Sequence, residues 1–122
     1  MPTIDNASSN PLFNRLQELV QETDFEFVIE LVDIYLHETP IQIQAIGKAL
    51  DTQDHHMLTI AAHTLKGSSL NLGAKQLGAV CYKLEELGRS GSPISAGTHT
   101  KEIESEFDQV KAILLTFKQS KQ

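Results

Sequence analysis

His63 is followed by Lys66 and Gly67 in the run Ala62-His63-Thr64-Leu65-Lys66-Gly67-Ser68-Ser69-Leu70. An imidazole with an unperturbed pKa of about 6.5 is mostly neutral near pH 7. One ring nitrogen can then attack phosphorus while the other keeps its proton. The product is a reactive phosphoramidate, so the group can be passed on rather than stored. Side chains three and four residues apart are neighbours on a helix surface. Lys66 can therefore bring an ammonium to the space over His63 and stabilise a phosphoryl group by a charge-assisted hydrogen bond. Gly67 costs about 1 kcal/mol against Ala in an exposed helix interior. Its missing side chain would clear room above the ring. Each feature alone has an ordinary reading: a surface histidine, a solvated lysine, a glycine set for close helix packing. Their coincidence at one place is what points to a phosphoryl carrier.

The element that must position them is a helix over residues 54–72, capped by Asp54 and ended by Gly73. At about 100° per residue, Leu58, Ala61, Ala62, Leu65, Ser69 and Leu72 fall on one side, which must face a core. His63 points roughly 140° from the centre of that stripe, toward solvent. Thr59, Ile60, Lys66, Gly67 and Leu70 surround it, and His56 lies two turns back on the same face. Ile60 and Leu70 would leave apolar atoms in water beside the histidine, as a docking surface does.

Helical periodicity runs through the rest of the chain, and no segment alternates like a strand for long. Asn10-Pro11 opens a short amphipathic helix carrying Leu12, Leu16, Leu19 and Val20. Thr23 or Asp24 caps a second helix to about His37, with Phe25, Val28, Val32 and Tyr35 on one stripe. Pro40 interrupts the pattern, either kinking that helix or starting a new one, and the period resumes at Ile43, Ile46 and Leu50. A helix from Ala74 to about Arg89 carries Leu77, Val80, Cys81, Leu84 and Leu87. Ser90-Gly91-Ser92-Pro93 reads as a loop. The last helix, from Ser95 or Thr98 to Lys118, spaces Ile103, Phe107, Val110, Leu114 and Phe117 as the seam of an antiparallel bundle. Lys118 and Lys121 suit the end of its dipole. The fold class expected is all-α, an antiparallel four-helix bundle with an additional short N-terminal helix, over residues 10–122. Residues 1–9 are polar and read as a flexible tail.

The chain has 122 residues, enough for one domain that needs no covalent staple. Hydrophobic residues make up 40% and charged residues 21%, a globular balance. A formal net charge of −6 repels nucleic acid. Cys81 is the only cysteine, so no internal disulfide can form. The first residues carry no basic region followed by an apolar run, and no stretch is long and apolar enough to span a bilayer. A cytoplasmic protein is expected, acting as a monomer, and its Met1 start points to an independent protein.

Ala62-His63-Thr64-Leu65-Lys66-Gly67-Ser68-Ser69-Leu70-Asn71-Leu72-Gly73-Ala74 resembles the signature of histidine-containing phosphotransfer (HPt) domains, and Val80-Cys81-Tyr82-Lys83-Leu84-Glu85-Glu86-Leu87-Gly88 resembles the helix that follows it in that family. The resemblance covers the chain from about residue 10. It implies an antiparallel four-helix bundle in which His63 is phosphorylated, with Lys66 as the charge-stabilising lysine and Gly67 as the access-giving glycine. Ser68 and Ser69 match small, structural positions. Glu85 falls where relatives place a Gln or Glu that hydrogen-bonds the histidine. The docking surface for a receiver domain would include Leu12, Leu16 and Leu19 of the first helix, with Thr59, Ile60, Thr64 and Leu70 near the histidine. Thr64 sits where some relatives carry an aromatic residue, which makes that surface less apolar here.

The function implied is a histidine phosphotransfer protein of a multistep two-component phosphorelay. It would take a phosphoryl group from a receiver-domain aspartate and pass it to another response regulator. The partners implied are receiver domains and a hybrid sensor histidine kinase. The chain has no Gly-rich phosphate loop and no acidic metal site near His63, so it is read as a carrier without an ATP site and without cofactors of its own. Mg²⁺ would come with the receiver domain. Three rivals remain. A histidine-kinase dimerisation domain usually follows its His with Glu and a Thr-Pro pair, absent after His63. A metalloprotein could draw on His37, Asp54, His55, His56 and Cys81, but their spacings are not those of a ligand set. A pure scaffold bundle would have no reason to place Lys66 and Gly67 beside His63.

Overall fold

The computed structural model describes residues 10–120, without the side chain of Ala96. Five helices follow one another: α1 Pro11–Glu22, α2 Phe25–Thr52, α3 His55–Leu72, α4 Lys75–Ser90 and α5 Ala96–Lys118. Among the described residues there is no strand. The tail expected over residues 1–9 and Lys121 lie outside the described residues.

The starts follow from side-chain caps. The Asn10 carboxamide oxygen accepts the N–H of Leu12 at 2.8 Å, Asp24 accepts that of Phe27 at 2.7 Å, and Asp54 accepts that of Met57 at 3.0 Å. Asp24, rather than Thr23, is therefore the cap of α2. α3 stops at Gly73, whose φ of 109° is open to glycine at little cost. Its N–H donates to the Ser69 carbonyl at 3.0 Å.

Of the two readings of Pro40, the start of a new helix is not there. α2 runs unbroken for 28 residues with Pro40 inside it. Proline removes one backbone hydrogen bond, but Tyr35 and Thr39 before it and Ile46, Ala49 and Leu50 after it are all buried on one side. Packing of that continuous face outweighs the local cost.

Short connections make successive helices antiparallel neighbours. α3 packs on α2 and most extensively on α4, while α5 packs on α2 and α4 from the far side of the core. α3 and α5 are thus diagonal in the bundle. α1 crosses one end, where Phe13 and Phe25 each meet Phe117 with ring centroids 5.6 Å apart. Leu58, Leu65, Leu77, Leu84, Ile103 and Leu114 are fully covered at the centre. The buried polar side chains within this core are paired: the Tyr35 hydroxyl and Ser69 Oγ lie 2.7 Å apart. Burial pushes the Tyr35 phenol up to about 12 and the Cys81 thiol also to about 12, so both are neutral.

Candidate functional site

The core stripe of α3 is the expected one: Leu58, Ala61, Ala62, Leu65, Ser69 and Leu72 are all buried. His63 consequently stands outward, with 64% of its side chain exposed. Its Nδ1 lies 2.9 Å from Glu85 Oε2, on α4. Glu85 is the unusual member of the pair, a carboxylate only 2% exposed. Such a group needs charge partners, because burying an unpaired carboxylate is costly. Two are present. Arg89, one turn further along α4, donates from Nη2 to Oε2 at 2.6 Å. The Lys66 ammonium lies 2.7 Å from Oε1, close enough for an ion pair but off the hydrogen-bonding axis of that oxygen. Lys66 also sits over the Tyr82 ring, 5.5 Å from its centroid.

These contacts decide protonation. The Arg89 hydrogen bond, then the Lys66 ammonium, hold the Glu85 carboxyl down at about 2 against the opposing effect of burial, with a smaller contribution from His63. At neutral pH Glu85 is an anion and can only accept. Nδ1 of a neutral His63 must then carry the ring proton and donate it to Glu85. The other nitrogen, Nε2, is left with its lone pair toward solvent. That is the tautomer a nucleophilic imidazole needs.

Glycines set the space around the pair. A Cβ placed on Gly67 would meet no atom within 4 Å, so packing does not require glycine there. Gly78 and Gly88 are the opposite case. A Cβ on Gly78 would come within 2.5 Å of Leu70 Cδ2. One on Gly88 would run into Thr59 Oγ1 and stand 2.9 Å from the backbone at His55 and Thr59. These two positions let α3 and α4 approach closely on either side of the His63–Glu85 contact.

Comparison with known proteins gives the family. The family model described as the Hpt domain matches residues 30–113. The chain belongs to the Hpt domain family. It is 32% identical over 82 residues to histidine-containing phosphotransfer protein 4 of Arabidopsis thaliana, covering 66% of this chain and 65% of that one. It is 31% identical over 77 residues to multistep phosphorelay regulator 1 of Schizosaccharomyces pombe, covering 63% of this chain and 26% of that one. The chain thus spans less than two thirds of the length of these curated relatives. The crystal structure of histidine-containing phosphotransfer protein B from Pseudomonas aeruginosa PAO1 superposes with a TM-score of 0.81 at 27% identity, covering 89% of this chain and 94% of that one.

Within this Hpt domain the expected central residues converge: His63, Lys66 and Glu85 are in contact and Gly67 leaves open space beside them. The docking residues fare unevenly. Ile60 and Leu70 are 47% and 50% exposed, as the wheel requires. Thr64 is exposed, its hydroxyl donating to the Ile60 carbonyl at 2.9 Å. Thr59 is half-buried against α4, with its hydroxyl donated to the His55 carbonyl at 2.9 Å. Leu12 and Leu16 need correction. They are 6% and 0% exposed and fill the core beneath α1, so their side chains offer almost no surface to a partner. The face beside them is instead a cavity of about 370 Å³ between α2 and α3, lined by Leu19, Leu31, Ile34, Glu38, Thr64 and Ser68 among others.

Two members of the site were not expected from the sequence. Arg89 was legible in principle, since it follows Glu85 by four residues, the spacing of a helical ion pair. Tyr82 had no such signal, because its contact with Lys66 is made between helices. Of the residues named for a metal alternative, Cys81 is buried and His55 Nε2 lies 2.6 Å from the Ser92 carbonyl. No three His, Cys, Asp or Glu side chains among the described residues are grouped to hold an ion.

Proposed function

We propose that this chain accepts a phosphoryl group on His63 Nε2 from the phosphorylated aspartate of a receiver domain and passes it to the aspartate of another response regulator. The lone pair on Nε2 forms the N–P bond as the P–O bond to the aspartate breaks and its carboxylate leaves. The ring proton stays on Nδ1. The ring becomes cationic at that moment, and the Glu85 carboxylate 2.9 Å away balances the new charge. Reversal needs no other group, because the same contact releases its stabilisation when the ring is neutral again. Lys66 and Arg89 supply positive charge toward the phosphoryl oxygens, and Gly67 leaves room for the incoming aspartate. Relatives named as phosphotransfer and phosphorelay proteins support this reading.

The chain acts as a carrier, with Mg²⁺ and the acidic pocket around the aspartate supplied by the receiver. A hybrid sensor kinase stands upstream, and a cytoplasmic monomer suffices for the relay. No helix among the described residues is long and apolar enough to cross a membrane. Docking uses Ile60 and Leu70 beside the histidine and extends over the α2–α3 cavity through Leu19, Ile34 and Thr64. The observation that carries the proposal is Nε2 standing in solvent while Nδ1 is held by a buried anion. Mixing the protein with a phosphorylated receiver domain tests it. Acid-labile, alkali-stable label should appear on wild type and not on His63→Gln. Label acquired from ATP alone would overturn it.

A further inference from the structure

A second groove lies between α2 and α5, with a volume of about 1130 Å³. α5 is diagonal to α3, so this groove opens away from His63. Ile43, partly buried, and Phe107, buried, are among its apolar lining. Gly47 widens it: this glycine is in the interior of α2, yet a Cβ there would meet nothing within 4 Å. Helix–helix packing therefore does not require glycine at this position, although it weakens the helix relative to alanine. Pro40, the residue whose N–H is missing from the same helix, lines the groove as well. Beside it, Ile41 keeps half of its surface in water.

The charged rim is mainly acidic. Asp51, Glu104 and Asp108 line the groove against the ammonium of Lys48, and none of the three carboxylates is ion-paired among the described residues. A second copy would bring the same acidic rim to the contact, in a chain whose formal charge is already −6. A nucleic acid or an anionic lipid surface would be repelled for the same reason. We propose that this groove docks a basic amphipathic helix of a partner protein, its apolar side chains on Ile43, Gly47 and Phe107 and its lysines or arginines against Asp51, Glu104 and Asp108. Such a contact leaves His63 uncovered, so a partner could stay tethered while phosphoryl transfer proceeds on the other face.

The probe is a short synthetic helical peptide of Leu and Lys, compared with its Leu and Glu counterpart, added to isotope-labelled protein and followed by amide NMR shifts. The Leu and Lys peptide should shift resonances around Gly47 and Phe107, and the Leu and Glu peptide should not. Gly47→Gln keeps every charge, fills the groove and has room to fold, so it should weaken the peptide by at least about tenfold, or 1.4 kcal/mol. Glu104→Lys with Asp108→Lys should do the same by charge. Transfer to His63 should be equal in wild type and Gly47→Gln, which separates this inference from the proposed relay. Unchanged affinity in Gly47→Gln, equal binding of the acidic peptide, shifts centred on α3, or self-association through this face would each overturn the proposal.

Discussion

Gly67 offers the sharpest separation of stability from transfer. Its Cβ position is empty to 4 Å, so Gly67→Ala adds no clash. It should stabilise the exposed interior of α3 by about 1 kcal/mol, the difference in helix propensity. For a domain of this size that raises Tm by about 3–5 °C. Gly67→Gln has nearly the same propensity and should be similarly stable. Its longer side chain, however, lies one turn from His63 and occupies the space through which an aspartyl phosphate must approach. A tenfold loss of kcat/KM corresponds to about 1.4 kcal/mol at the transition state, and the glutamine variant should lose at least that much. Thermal unfolding by circular dichroism and label transfer from a phosphorylated receiver measure the two effects on the same samples. A glutamine variant that transfers at the wild-type rate would refute the steric reasoning. So would an alanine variant that melts below wild type, because glycine would then be a packing requirement after all.

Four further outcomes follow from the contacts around the site. Glu85 is depressed from its ordinary 4.5 to about 2, so its ion pairs stabilise the fold fully above about pH 4.5 and that contribution is lost as pH falls toward 2. Acid unfolding monitored by circular dichroism should therefore be flatter across that window in Glu85→Gln than in wild type. The same variant should show His63 as a mixture of tautomers by ¹⁵N NMR, whereas wild type should hold the proton on Nδ1. Gly88→Ala forces a methyl against backbone atoms of α3 and should destabilise by about 1–3 kcal/mol in urea unfolding. Gly78→Ala should cost less, because the neighbour it meets is the mobile end of Leu70.

Much of this structure is local in origin and hence readable from residue order. Asn10, Asp24, Asp54 and Gly73 each act on their own helix end, and the angular position of His63 follows from helix geometry alone. Pro40 starts no new helix because its cost is local while its compensation is not: Ile46 and Leu50 are buried against the core and keep α2 continuous past it. Leu12 and Leu16 show a related limit. Amphipathic spacing identifies an apolar face, but only the fold says whether that face meets the core or a partner. The Glu85 contact came from family likeness, since no spacing within one helix connects it to His63. Its cause is the close approach of α3 and α4 at Gly78 and Gly88, a property of two helices together.

By holding Nδ1, Glu85 should direct the phosphoryl group to Nε2 of His63. ³¹P NMR of the protein after incubation with a phosphorylated receiver domain tests it most directly. One phosphoramidate resonance with the shift of Nε2-phosphohistidine should appear, and it should be absent in His63→Gln. A resonance from Nδ1-phosphohistidine, or label on any other residue, would contradict it.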